Sequence, residues 1–240
     1  MIILHGDTPN LLQIKERIMT YKEEFIEFLV KCNALKFGEF TLKSGRNAPY
    51  FINTGMFDTG AKISKLGQLY AHAIKEHFSD KFDGIYGPAY KGIPLCIAAS
   101  IALNEMGIDK GYVFNRKEAK NYGDKSTVVG MGLKADSELI LIDDVITSGK
   151  AIRESLVTLK ANNNPKVKGI IISVDRQERG KTSQNALKEV EEILNIPIHP
   201  IVTITQIKKY LHNKEINGEV YLDSSVLEKI DNYLEEYGAE

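Results

Sequence analysis

Asp143 and Asp144 follow the aliphatic run Leu139-Ile140-Leu141-Ile142 directly, and Val145-Ile146-Thr147-Ser148-Gly149-Lys150-Ala151 comes next. Four consecutive aliphatics match a strand buried on both faces, and the small residues after the acids open an amphipathic helical pattern. Backbone N–H groups at such a helix start can cradle a phosphate, and carboxylates beside them can hold hydroxyls or a metal. The chemistry this allows is the binding of a phosphorylated sugar. A plainer reading of the same pair is strand-end solvation with an N-cap for the next helix. The spacing is not that of a P-loop, and a Gly-x-Gly-x-x-Gly dinucleotide fingerprint is absent from the chain.

Three other segments carry usable groups. Gly87-Pro88-Ala89-Tyr90-Lys91-Gly92-Ile93-Pro94 joins a short strand to a helix. It is either a simple turn with a solvated lysine or a backbone able to approach an anion closely, with Lys91 as counter-charge. Arg116, Lys117 and Lys120 put three cations within five residues after a core strand. A solvated surface loop is the usual fate of such a run, but a departing polyanion needs this kind of charge neutralisation. Asp175-Arg176-Gln177-Glu178-Arg179-Gly180 places an arginine at another strand end. Arg176 can form an ion pair inside its own loop or grip a ligand carboxylate through two parallel N–H bonds.

The elements that must position these groups follow from periodicity. Helical spacing covers Leu11–Val30, Ile63–Phe78, Gly92–Met106, Ala151–Leu159, Asn185–Leu194, Thr205–Leu211 and Ser224–Tyr237, the last two joined by a polar turn. Strands are expected at Asp83–Gly87, Gly111–Asn115, Thr127–Met131, Leu139–Ile142, Gly169–Val174 and Ile196–Val202, and Phe37 to Asn53 reads as a small strand-rich flap. Strand and helix alternate, which predicts an α/β fold: a central, mostly parallel sheet flanked by helices. Ligands of such sheets sit at the carboxyl ends of the strands, where Asp143-Asp144 falls. At 240 residues the chain fits one domain, residues 1–240, with appendages.

Composition narrows the partners. A net charge of −1 gives no electrostatic reason to expect nucleic acid. Two cysteines, Cys32 and Cys96, suit a reducing cytoplasm better than a disulfide scaffold. No apolar run is long enough to span a bilayer, and Met1–Asn10 does not read as a signal peptide, so a soluble intracellular protein is expected.

Taken in order, these segments closely resemble the orotate branch of the type I phosphoribosyltransferases. The acidic strand end marks the broad class. Leu42-Lys43-Ser44-Gly45-Arg46 with Pro49-Tyr50-Phe51, Arg116-Lys117-Glu118-Ala119-Lys120 and Asp175-Arg176-Gln177-Glu178-Arg179-Gly180 mark the branch. The resemblance runs from about the first helix to Leu211 and implies the following. Orotate would be joined to the phosphoribosyl group of 5-phospho-α-D-ribose 1-diphosphate, releasing diphosphate, as in pyrimidine synthesis. Asp143 and Asp144 would hold the ribose hydroxyls. Val145, Ile146, Thr147, Ser148, Gly149, Lys150 and Ala151 would wrap the 5′-phosphate.

Tyr90, Lys91, Arg116, Lys117, Lys120 and Tyr122 would face the diphosphate, the residues from Arg116 onward on a lid, Arg116–Ser126, reaching into the partner of a homodimer with shared active sites. Lys43, Phe51, Ile52, Thr147 and Arg176 would shape the orotate pocket beneath a hood formed by about 34–55 and part of the C-terminal region. Mg2+ would be held mainly by the substrate. Two positions depart from the family's pattern: Tyr122 stands where His is usual and cannot become cationic near neutral pH, and Ile52 stands where an aromatic is common. The alternatives are a phosphoribosyltransferase for another nucleobase and a non-catalytic sensor of phosphoribosyl diphosphate.

Overall fold

The structure is a computed structural model that describes residues 19–42, 44–116, 127–146, 149–180 and 182–239. The first helix, α1, spans Tyr21–Lys31. Thr20 is extended and accepts a hydrogen bond from the Glu23 amide, while the Glu23 carboxylate accepts one from the Thr20 amide. This reciprocal cap stops the helix. The expected helical start at Leu11 is therefore corrected for the described part: periodicity was counted across a capping signal. Residues 11–18 lie outside the described residues.

An antiparallel hairpin follows, β1 (Leu35–Thr41) with β2 (Asn47–Ile52), where the flap was expected. Its register slips between Phe37 and Phe40, and Gly38 there has φ +151°, the kind of bulge glycine permits. A 3-10 turn at Thr54–Met56 leads to α2 (Gly60–Phe78), β3 (Gly84–Gly87), α3 (Gly92–Glu105) and β4 (Gly111–Asn115). Then come β5 (Val128–Gly130), β6 (Glu138–Ile142), α4 (Lys150–Lys160), β7 (Lys166–Asp175), α5 (Ala186–Leu194), β8 (Ile198–Thr203) and α6 (Ile204–Leu211).

The polar turn expected after α6 holds a two-stranded hairpin, β9 (Glu215–Ile216) and β10 (Glu219–Val220), before α7 (Ser224–Tyr237). Asn217 and Gly218 have φ +54° and +83° between its strands. That is the primed turn that an Asn-Gly pair favours, a signal the expectation of a plain turn passed over.

Among the described residues the main sheet has the order β5-β4-β3-β6-β7-β8, parallel except for the edge pair β4–β5. The continuous apolar run of β6 is explained by burial on both sides. Ile140 and Ile142 join the core under α1, α2, α3, α6 and α7, while Leu139 and Leu141 join a second core under α4 and α5. Helices α2 and α3 pack so closely that a Cβ on Gly67 would lie 2.5 Å from the Ala98 carbonyl carbon. No helix among the described residues is long and apolar enough to cross a membrane.

At the amino end of the sheet His77 and His199 stack, with ring centroids 4.0 Å apart and planes 9° apart. Burial, with His77 beside it, pushes the His199 imidazole down to about 4. His77 is lowered too, by burial and by Lys22, against the opposing pull of Glu76. The folded values lie below the unfolded ones, so this stability is complete above about pH 6.5 and is lost as pH falls towards 4. With the exposed part of the pair discounted, the loss is on the order of 1–2 kcal/mol. Melting temperatures at pH 7.5 and 5 should therefore converge in H199F relative to wild type; parallel losses would refute the assignment.

Candidate active site

The acidic pair sits where the central strand β6 ends. Its main chain is fixed from two sides: the Asp143 amide donates to the Ile171 carbonyl at 3.1 Å, and the Tyr70 hydroxyl donates to the Asp143 carbonyl at 2.9 Å. The Asp144 carbonyl accepts from the Ser173 amide at 2.9 Å and from the Ser173 hydroxyl at 2.5 Å. Asp143 Oδ1 accepts the Asp144 amide at 2.9 Å. Asp144 Oδ1 accepts the Val145 amide at 2.8 Å, and its Oδ2 accepts the Thr54 hydroxyl at 2.6 Å and Lys91 Nζ at 2.9 Å.

These surroundings split the two acids electrostatically. Burial, reinforced by the Asp144 charge, pushes the Asp143 carboxyl up to about 7. Burial also works against ionised Asp144, but hydrogen bonds from Thr54 and Lys91 outweigh it and hold that carboxyl below its ordinary value. One acid is a fixed anion and its neighbour titrates near neutrality. Neither caps the next helix: the N-cap of α4 is Gly149, at φ +65°. The plainer reading of the pair thus fails for α4.

Between the pair and α4 lies a cleft of about 410 Å³, lined by Asp143, Val145, Ile146, Gly149, Lys150 and Ala151 among others. The helix start faces it with a glycine cap, so the first amides of α4 receive no side chain from the cap position. Such a start favours an anion. Thr147 and Ser148 lie outside the described residues.

The Gly87–Pro94 turn reaches the same place. Lys91 precedes α3, and its ammonium meets both Asp144 and the Thr54 hydroxyl, the latter at 3.3 Å. Tyr90, after a cis Ala89–Tyr90 peptide, is 66% exposed and so open to a ligand. The Ala89 amide donates to Asn115 Oδ1 at 2.8 Å, joining this turn to the end of β4. There the Arg116 amide donates to the Thr127 carbonyl at 2.7 Å. Its Nε is buried and has no acceptor among the described residues. Lys117, Lys120 and Tyr122 lie outside the described residues.

Strand β2 leads to Thr54, the partner of Asp144. Alternation turns Tyr50 inward and Phe51 outward. Phe51 is 38% exposed and stacks on Phe40 with centroids 5.5 Å apart, whereas Ile52 packs against the core. The Arg176 guanidinium carbon lies over the Tyr50 ring, 4.3 Å from its centroid, and Glu178 Oε1 accepts its Nε at 2.8 Å. The in-loop ion pair is therefore real, but it is partly buried, just past the end of β7, not out in solvent. Lys43 lies outside the described residues.

Thr54, Asn115, Tyr50 and Glu178 are the neighbours that sequence reasoning did not single out. For Thr54 a weak signal existed: Asn53 Oδ1 accepts the Gly55 amide at 3.0 Å, the local turn that an Asn-Thr-Gly sequence favours. Nothing local announces that Thr54 meets Asp144.

Residues 58–205 match the phosphoribosyl transferase domain family. An orotate phosphoribosyltransferase of Clostridium botulinum (strain Eklund 17B / Type B) is 46% identical over 220 residues, covering 91% of this chain and 98% of the relative. That of Clostridium acetobutylicum is 46% identical over 219 residues, with the same coverage of 91% and 98%. The crystal structure of orotate phosphoribosyltransferase from Francisella tularensis superimposes with a TM-score of 0.77 at 39% identity, covering 90% of this chain and all of that one.

Proposed function

The chain belongs to the orotate phosphoribosyltransferases of the phosphoribosyl transferase family, and from that premise we propose how its own residues carry the transfer. In the reaction the bond from C1 of the sugar to the diphosphate breaks and a bond from C1 to N1 of orotate forms, giving orotidine 5′-monophosphate for pyrimidine synthesis. Positive charge builds on the ribose ring as diphosphate leaves. The protein's work is to orient, to neutralise charge and to exclude water.

The observation that carries this assignment is the Asp144 carboxylate bonded to Lys91 at the end of β6, with Asp143 lining the cleft at the glycine-capped start of α4. Asp143 and Asp144 hold the ribose 2′- and 3′-hydroxyls. The segment Val145–Ala151, including Thr147 and Ser148, encloses the 5′-phosphate. Lys91 exchanges Asp144 for diphosphate when substrate arrives, joined by Tyr90 and by Arg116, Lys117, Lys120 and Tyr122 of the lid. The Nε of Arg116, buried and without an acceptor among the described residues, supports this, since a donor so placed gains most from an anionic oxygen. Tyr122 contributes a neutral hydroxyl.

Phe51 offers an exposed ring for stacking on the base, with Lys43, Ile52 and Thr147 around it, and Arg176 takes the orotate carboxylate. Two acids at one strand end suit Mg2+ with few protein ligands and most of its oxygens from substrate. The ion would neutralise the diphosphate. The hairpin β1–β2 and part of the C-terminal region form the hood of a single domain. A cytoplasmic homodimer, with lids exchanged between subunits, completes the proposal.

Purified protein with phosphoribosyl diphosphate and Mg2+ should consume orotate and leave hypoxanthine untouched. Activity on the purine alone would overturn the base assignment, and binding without turnover of either would identify a sensor.

A further inference from the structure

Glu178 is the point where the base side of the site meets the C-terminal helix. Its Oε1 accepts Arg176 Nε at 2.8 Å and Nη2 at 2.5 Å, the Tyr233 hydroxyl of α7 at 2.8 Å and the Tyr50 hydroxyl at 3.3 Å. Arg46 approaches its other oxygen at 3.6 Å. Four donors on one carboxylate oxygen are more than an ordinary surface pair assembles.

The chain around Glu178 is braced in the same direction. The Arg179 amide donates to the Tyr237 carbonyl at 2.8 Å, the Ala239 amide to the Gln177 carbonyl at 2.9 Å, and Arg179 Nε to the Gly238 carbonyl at 2.8 Å. Arg46 adds bonds of 3.3 Å to the Arg179 carbonyl and lies over the Tyr237 ring. Residues 237–239 thus run as a short antiparallel strap along 177–179.

We infer that Glu178, held by the Tyr233 hydroxyl, is a positioning residue that presets Arg176 for the carboxylate of the base. The inference rests on Arg176 being the group that meets that carboxylate. A free arginine must be ordered when its ligand arrives, and that ordering weakens binding. Here Glu178 accepts both Nε and Nη2 of the guanidinium, whose carbon lies over the Tyr50 ring, so the group is held in place beforehand. Two arginines share one glutamate, leaving the cluster with an excess positive charge for an incoming anion. Burial, together with Glu178, pushes the Tyr233 hydroxyl up to about 12, so it remains a donor at any working pH.

Steady-state kinetics of R176K, E178Q and Y233F test this, each referred to wild type. E178Q should raise the KM for orotate about ten-fold and Y233F about three-fold, with kcat and the KM for phosphoribosyl diphosphate within about two-fold of wild type. R176K should raise the orotate KM more than either. Y233F removes a single oxygen, so it keeps the test alive if E178Q does not fold. An impaired R176K beside normal E178Q and Y233F would overturn the positioning role alone. A normal orotate KM in R176K would overturn the carboxylate assignment and the inference with it. Equal loss towards both substrates would mark the cluster as merely structural and also overturn the inference.

Discussion

Replacing Asp144 with Asn should cut kcat/KM for phosphoribosyl diphosphate on the order of a thousand-fold, about 4 kcal/mol of transition-state stabilisation. The reason is double. On the proposed assignment the substituted side chain loses the charge that faces a ribose ring turning cationic, and its neutral amide is a weaker acceptor for the ribose hydroxyl than the carboxylate is. The fold should survive. Its grip on this residue is the Asp144 carbonyl, bonded to Ser173, and the amide acceptor Oδ1 has an Asn counterpart. The measurement is initial rate against phosphoribosyl diphosphate at saturating orotate, with a thermal melt as the control. Loss of less than about ten-fold would mean that Asp144 is only a turn residue and that the sugar is held elsewhere.

Asp143→Asn should do two opposite things. The folded-state carboxyl of Asp143 lies at about 7, raised by burial from an ordinary value of 3.8. For a raised acid, the associated stability is fully present below the unfolded value and is lost as pH rises through the folded one. Above pH 7 the wild type therefore carries a buried charge that the variant lacks, and the substituted amide keeps an oxygen for the Asp144 N–H. At pH 8 the variant should be more stable by roughly 2–4 kcal/mol, a gap that narrows as pH falls below 7 and closes only near the ordinary value of 3.8, where the unfolded acid is protonated too. Its affinity for phosphoribosyl diphosphate should meanwhile fall roughly a hundred-fold, since a neutral amide is a weaker acceptor for a sugar hydroxyl. Melts at pH 8 and 5.5 check the first effect: a gap that does not change with pH would show that burial of charge is not its source. The combination is the exchange of stability for function that active sites commonly show.

What could be read from the sequence was what is written in short stretches. The aliphatic run of β6, the helical spacing of α2 and the strand–helix alternation are local, and each became an element in nearly the expected place. The acidic pair and the arginine of Asp175–Gly180 were visible because residue type and strand end coincide there. Partners across the site were not visible. Thr54 and Asp144 are 90 positions apart, and Arg46 and the Arg179 carbonyl are 133 apart. No periodicity spans such distances; only the path of the folded chain brings them together. The strap at 237–239 was missed for the same reason: it contributes backbone bonds, which leave no mark in residue type. Two local signals were present and passed over, the Thr20–Glu23 cap and the Asn217-Gly218 turn, because apolar spacing and polarity were weighed above punctuation.

Tyr70 and Ser173 hold the carbonyls of the acidic pair, not its side chains. These main-chain bonds would be the same for any side chain at positions 143 and 144. Heritable variation there can try out new sugars or new charges one codon at a time, because the wall behind those residues stays standing while their chemistry is rewritten.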